Sequence, residues 1–280
     1  MSFGWTLAPP APVAGGTAIA AGLRQLRTFA ASAGLALAVP LLLAALWIFC
    51  ARYSWIPDQI LPAPAAVWQT LREGCADGSL RDATLISLQR VLAGFGIGAG
   101  AGVLVGGLLG ASRTLRSYIE PFFLAFNQVP HIAWMPVLMV LFGIGEALKI
   151  IIIAWAAFMP AALCALQGVR DVPEGFRELG RALMLDRRAT FCTIVLPSAL
   201  PSIFTGLREG LAHAWQALVA AELLASFEGL GYLMAYGRQL FQLDVVLAAM
   251  AIIALIGVAF HVLLRMAETR LRRWRLEGAQ

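Results

Sequence analysis

An all-α membrane protein with six membrane-crossing helices is the fold class this sequence predicts. Three observations carry that reading. Of the 280 residues, 60% are hydrophobic and only 13% are charged, whereas a soluble domain is about a quarter charged. Several apolar runs approach the roughly 20 residues that cross a bilayer as a helix. The arginines gather in segments that all fall on one side if the chain crosses six times.

Residues 1–32 are rich in Ala, Pro and Gly and read as a flexible cytoplasmic leader. The first apolar run lies too far along the chain for a cleaved signal peptide. The first span is expected from Ala33 to Ala51, with Pro40 as a candidate kink. Arg52 to Asp82 form a long outer loop. Within it, Pro64 to Gly74 should be a short helix resting on the outer interface through Val67, Trp68 and Leu71.

The second span, Ala83 to Ala111, places Gly94, Gly98, Gly102, Gly106 and Gly110 at every fourth position. Such a stripe lets another helix backbone approach closely. The third span, Pro121 to Gly143, is interrupted by Pro130 and Pro136. Proline removes an amide donor, and a membrane tolerates the break where protein or a watery cavity satisfies the freed carbonyls. Asn127, Gln128, His131 and Trp134 sit in this broken stretch. They either line a path or hydrogen-bond between helices.

The fourth span runs from Ala147 to Gly168. A polar connector, Arg170 to Pro201, follows. Its first half is helical in period, with Phe176, Leu179 and Leu183 on one face and Glu174, Arg177, Glu178 and Arg181 over the rest. Pro173 suits a helix start, and Asp186 can cap a second short helix through Phe191 to Val195. Leu196-Pro197 then leads into the fifth span, Pro201 to Ser226. The connector is either a handle for another protein or an amphipathic helix on the headgroups. The sixth span, Asp244 to Met266, precedes a basic tail at residues 269–280.

Net charge is +5, almost entirely from arginine, since Lys149 is the only lysine. In a membrane protein this excess sets orientation rather than nucleic-acid binding. It places both termini and the connector in the cytoplasm. Lys149 lies between Leu148 and Ile150, which excludes the phosphate loop GxxxxGK[ST]. HExxH and GxSxG are absent, as is CxxC among Cys50, Cys75, Cys164 and Cys192. His131, His213 and His261 fall on three spans without ligand spacing. The chain therefore carries no hydrolase, metal site or energy source of its own.

Ionisable groups remain on the fifth span. Arg208 and Glu209 fall toward the cytoplasmic end, where they either snorkel or pair. Glu222 lies about 21 Å further along the helix, with either a pathway role or a structural hydrogen bond.

The connector resembles the cytoplasmic Glu-Ala-Ala loop of permease subunits of bacterial ATP-binding-cassette importers. Glu178, Ile194, Leu196 and Pro197 fall at that loop's spacing, while Leu179 and Gly180 replace its two alanines and Met184 its glycine. The segments LPAPAAV (61–67), SLQRVLAGFGIG (87–98), VPHIAWMPVLMVLFGIGE (129–146), AWQALVAAELLAS (214–226) and GLGYL (229–233) look like the nitrate, taurine and aliphatic-sulfonate branch. Asn127 departs from the arginine such relatives often carry there.

The resemblance implies a type I importer permease fold, with a transmembrane domain at 33–268 and a coupling loop at 170–197. It implies a second copy of the permease, two ATPase subunits that hold the ATP and Mg, and a periplasmic or lipid-anchored solute-binding protein, in the bacterial inner membrane. No cofactor is expected on this chain. ATPase docking falls to Glu174, Phe176, Arg177, Glu178, Gly180, Arg181, Met184 and Asp186. The path falls to Asn127, Gln128, His131, Trp134, Trp215 and Glu222, and helix packing to Gly94, Gly98, Gly102 and Gly106. The solute implied is a small anion or zwitterion such as a sulfonate, taurine or nitrate. The rival class, a self-powered secondary transporter or channel, would need mid-membrane coupling carboxylates or an inverted repeat.

Overall fold

The computed structural model describes residues 38–53 and 55–276, the side chains of Arg177, Arg187 and residues 271–276 excepted. The expected leader, residues 33–37 of the first span and the last four residues of the tail lie outside these. Among the described residues all regular structure is helical.

One compact unit ends at Pro64 and a second comprises Ala65–Gln280. In the first, the described part of α1 (Ala38–Arg52) is apolar and by itself shorter than the roughly 20 residues of a crossing. Trp47 Nε1 donates to the Pro62 carbonyl at 3.0 Å, closing the segment that follows α1.

The second unit opens with α2 (Pro64–Ala76). Its Val67 is buried while Trp68 is exposed, so the two do not share the lipid-facing role expected of them. Asp77 then accepts from the amide and hydroxyl of Ser79, both at 2.8 Å, and starts α3 (Ser79–Ala111). Those bonds hold the Asp77 carboxyl below the usual carboxylate range.

The core is a three-helix sandwich. α6 (Glu146–Arg170) runs parallel to α3 and antiparallel to α9 (Leu196–Ala225). Small residues make the close approach possible on both sides. A Cβ at Gly98 or Gly106 would sit 2.0 Å from the carbonyl oxygen of Ala154 or Ala162 in α6. Across α6, a Cβ at Gly206 would meet Cys164 Cβ at 2.6 Å. With lipid as apolar as the side chains, such backbone-close packing supplies dispersion contacts that bulkier residues would forfeit.

α4 (Arg113–Asn127) and α5 (Met135–Phe142) are bent by 86° at the Pro130 break, joined by a single 3₁₀ turn at His131–Trp134. Among the described residues four helices are long and apolar enough to cross a membrane, or five if this bent pair is one crossing.

The connector begins with α7 (Glu174–Ala182). It departs from expectation in two ways. Phe176, Leu179 and Leu183 are 47%, 50% and 61% exposed, so their shared face is not covered by this chain. The residue turned inward is Gly180, where an added Cβ would lie 3.0 Å from Thr190 Cγ2. The second short helix is also not separate. α8 (Arg187–Thr190) passes through a π-turn at Phe191–Val195 directly into α9. The Leu196 amide reaches back to the Phe191 carbonyl, and this wider turn accommodates Pro197, whose ring crowds the preceding turn.

Beyond α9, α10 (Leu230–Gln239) forms a short helix that periodicity did not reveal. α11 (Leu243–Leu276) closes the bundle antiparallel to α9, with Arg208 bonded to Glu268 at 2.9 Å and Trp215 edge-on to Phe260. It continues ten residues past the expected end of the sixth span, Met266, because its basic stretch adopts the same helix.

Candidate functional site

A cavity of about 610 Å³ lies along one face of α6, lined there by Trp155, Ala156, Met159, Pro160, Leu163, Cys164 and Gln167. That spacing covers roughly 18 Å of helix, toward the end that carries the connector. The broken stretch supplies Phe126, Asn127, Val129, Pro130 and His131. α9 supplies Glu209, His213 and Gln216, which follow the i, i+4, i+7 spacing of one helical face. All three are exposed in an otherwise apolar span. Polar groups at membrane depth are costly unless they meet protein or water. The rings of His131 and His213 stand 6.4 Å apart, and His131 Nε2 is buried without a hydrogen-bond partner.

The expected path residues divide. Asn127 and His131 line the cavity. Gln128 is exposed but outside it. Trp134 stands behind the wall, stacked on Phe126 and Trp155 at 5.8 and 5.5 Å. Trp215 does not belong to the cavity. It is 7% exposed and faces α11 across a separate void of about 220 Å³.

Glu222 likewise lies outside this cavity. It is 1% exposed and anchors a buried polar network at the opposite end of the bundle. Ser87 Oγ donates to both of its carboxylate oxygens at 2.9 Å, Arg90 Nη1 to Oε1 at 2.9 Å and the Gly231 amide to Oε2 at 2.9 Å. Arg90 also grips Glu146 through Nε and Nη2 at 2.8 and 2.6 Å, and Lys149 Nζ reaches Glu146 at 2.7 Å. The GLGYL segment explains itself here. Gly229 has φ +99°, and a Cβ on it would lie 2.2 Å from Glu222 Oε1. Only a glycine lets this loop close over the carboxylate.

Sequence reasoning did not single out Arg90 or Ser87, although both lie in the segment SLQRVLAGFGIG. An arginine deep in an apolar span was the available signal. Sequence reasoning also placed Glu209 toward the cytoplasmic end of its span without assigning it to the path, and α9 brings it to the cavity. Applying helical period to polar residues would have grouped it with His213 and Gln216.

On the connector, Glu178 is exposed and Glu174 pairs with Arg181. Asp186 Oδ1 accepts from the Ala189 amide at 2.7 Å, as a cap does. Gly180 packs inward against Thr190 and Ile194 rather than standing on the exposed face of α7. The side chain of Arg177 lies outside the described residues.

Met184 ends α7 with φ +51°. Leu185 N donates to the Gly180 carbonyl and Met184 N to that of Arg181, both at 3.0 Å. This paired pattern places a left-handed residue just past the helix, a position that favours glycine. The strain of a side chain there is about 1–2 kcal/mol. Met184 is 93% exposed and gains no burial in return. Met184→Gly is therefore expected to stabilise the connector by about 1 kcal/mol, read as slower hydrogen exchange of the amides of Leu183 to Leu185. Faster exchange would show that Met184 makes contacts offsetting the strain.

A bundle of long apolar helices around a polar cavity, with a surface knuckle and no phosphate-binding loop, defines a membrane transport subunit. The chain belongs to the family described as binding-protein-dependent transport system inner membrane components, whose model matches residues 98–273. It is 36% identical over 233 residues to the taurine transport system permease protein TauC of Escherichia coli, covering 81% of this chain and 85% of that one. It is 35% identical to the bicarbonate transport system permease protein CmpB of Synechococcus elongatus, over 65% of this chain and 66% of that one. A solved structure of the MetNI methionine ABC transporter in inward-facing conformations superposes with a TM-score of 0.59. It is 19% identical and covers 66% of this chain and 92% of its own, a likeness of fold. The chain is thus a multi-pass permease subunit of an ABC importer. Permeases of this family work with ATPase and binding-protein partners.

Proposed function

We propose that this chain pairs with a second copy of itself to line one translocation path, and that two ATPase subunits drive the pair by gripping the connector, residues 170–197. The solute is a small anion or zwitterion of the kind its relatives' names carry. A periplasmic or lipid-anchored binding protein delivers it. α1, α3, the bent α4–α5 pair, α6, α8–α9 and α11 make six crossings of the bacterial inner membrane. Both termini and the connector face the cytoplasm, where the ATPases hold ATP and Mg. The cavity along α6 is the inner part of the path, and ATP-driven closure of the ATPases swings the pair between inward- and outward-facing states.

The observation that carries this reading is the uncovered face of α7. A nine-residue helix is too short to be held by its own propensity. Yet Phe176, Leu179, Leu183 and Met184 project from it exposed. An apolar patch ringed by Glu174, Glu178 and Arg181 suits a protein partner.

Glu178→Lys tests it. Glu178 is exposed and no core packing depends on it, so fold and insertion should change by about half a kcal/mol or less. Against a partner arranged for a carboxylate, a reversed charge costs several kcal/mol. Transport should fall sharply at normal expression, with the ATPases co-purifying poorly or hydrolysing ATP without response to loaded binding protein. Normal transport with firmly bound ATPases would show that the connector is not the coupling element.

A further inference from the structure

We propose that the cavity along α6 selects its solute by positive charge: the ligand it passes is a zwitterion that carries an ammonium or comparable cationic group, and Glu209 is the residue that recognises it. This rests on reading the cavity as the translocation path, and it narrows that reading by excluding simple anions.

The cavity wall holds one formal charge. Among its lining residues Asn127, His131, Gln167, His213 and Gln216 are polar, and Glu209 alone is a carboxylate. Among the described residues no lysine or arginine lines it. The nearest guanidinium in sequence, Arg208, faces the other way. It lines the separate void beside α11 and makes its shorter ion pair, 2.9 Å, with Glu268. Its contact with Glu209 is 3.5 Å, leaving that carboxylate half exposed on the cavity side.

A simple oxyanion entering this space would meet the Glu209 carboxylate at the wall, whereas the Arg208 guanidinium that contacts it is shared with Glu268 and is not among the lining residues. The low-dielectric protein around the cavity strengthens that repulsion, and it equally strengthens attraction for a cation. The rest of the wall agrees. Phe126 and Trp155 offer aromatic rings to the cavity, and such faces attract ammonium groups. The carboxamides of Asn127, Gln167 and Gln216 supply acceptors for N–H donors as well as donors of their own.

Cys164 lines the same cavity and reports on it directly. The full chain carrying Cys50→Ser, Cys75→Ser and Cys192→Ser keeps it as the one thiol. In lipid nanodiscs, where both faces are open, its modification rate is measured at neutral pH. The probes are 2-(trimethylammonium)ethyl and 2-sulfonatoethyl methanethiosulfonate, each rate normalised to that of free 2-mercaptoethanol. The cationic reagent is expected to be favoured by roughly tenfold or more. Glu209→Gln should remove most of that preference, and Glu209→Asp, which keeps the charge, should retain it. Equal normalised rates, a preference for the anionic reagent, or a preference unchanged in Glu209→Gln would overturn the proposal. If neither reagent modifies Cys164 in nanodiscs although both modify it after denaturation, the cavity is not a watery path. That outcome removes the underlying reading, not only its charge selectivity.

Discussion

Gly98→Leu is expected to abolish recovery of the folded chain. A Cβ on Gly98 falls 2.0 Å from the Ala154 carbonyl oxygen and 2.6 Å from its carbon. No rotamer relieves a clash that begins at Cβ and ends on backbone, so α3 and α6 must separate. Overpacking a core costs about 1–3 kcal/mol when side chains can shift, and here the neighbour is a helix backbone that cannot. The same helix supplies its own control. Gly100 has nothing within 4 Å of the corresponding position. Gly100→Leu should be neutral or gain up to about 1 kcal/mol in helix propensity. The measurement is detergent-extracted yield and monodispersity of both variants. Equal yields would mean that α3 does not pack on α6 through its glycines.

Glu222→Ala should be nearly as damaging, for an electrostatic reason. The substitution strips an acceptor from Ser87, from the Gly231 amide and from Arg90 Nη1 in one step. Arg90 is 4% exposed and keeps only part of its partnership, through Glu146 and the Glu228 carbonyl. Removing one partner of a buried ion pair costs about 3–5 kcal/mol. Glu228→Ala is the contrast. That side chain is 64% exposed and stands 3.9 Å from Arg90, and exposed pairs contribute about 0–1 kcal/mol. Thermal unfolding in detergent should separate the two variants clearly. If Glu222→Ala unfolds no earlier than Glu228→Ala, the network does not hold α3, α9 and the loop before α10 together.

Reading by local pattern succeeded where the physics is local. The glycine spacing in α3 depends only on the period of one helix. Asp186 could be recognised as a cap because its partner is three residues away. The break near Pro130 follows from a missing amide. Even the departure at Met184 became intelligible once its left-handed backbone was seen, since glycine is the residue that position favours. The continuous α8–α9 helix and α10 escaped because a π-turn absorbs the proline and a short outer helix has too few turns to show a period.

By itself, then, the sequence determined that this chain is helical, that it lies in a membrane and that a polar connector interrupts its apolar segments. Apolar run length and charge placement suffice for that. Tertiary structure alone decided which polar groups meet. Arg90 and Glu222 are separated by 132 positions and yet share a buried bond. Arg208 and Glu209 are neighbours and yet line different cavities. The reason is geometric. Successive helix positions point about 100° apart, so a residue's partners depend on how its helix is rotated against others. That rotation is set by the small-residue contacts of α6 with α3 and α9, which no single segment contains.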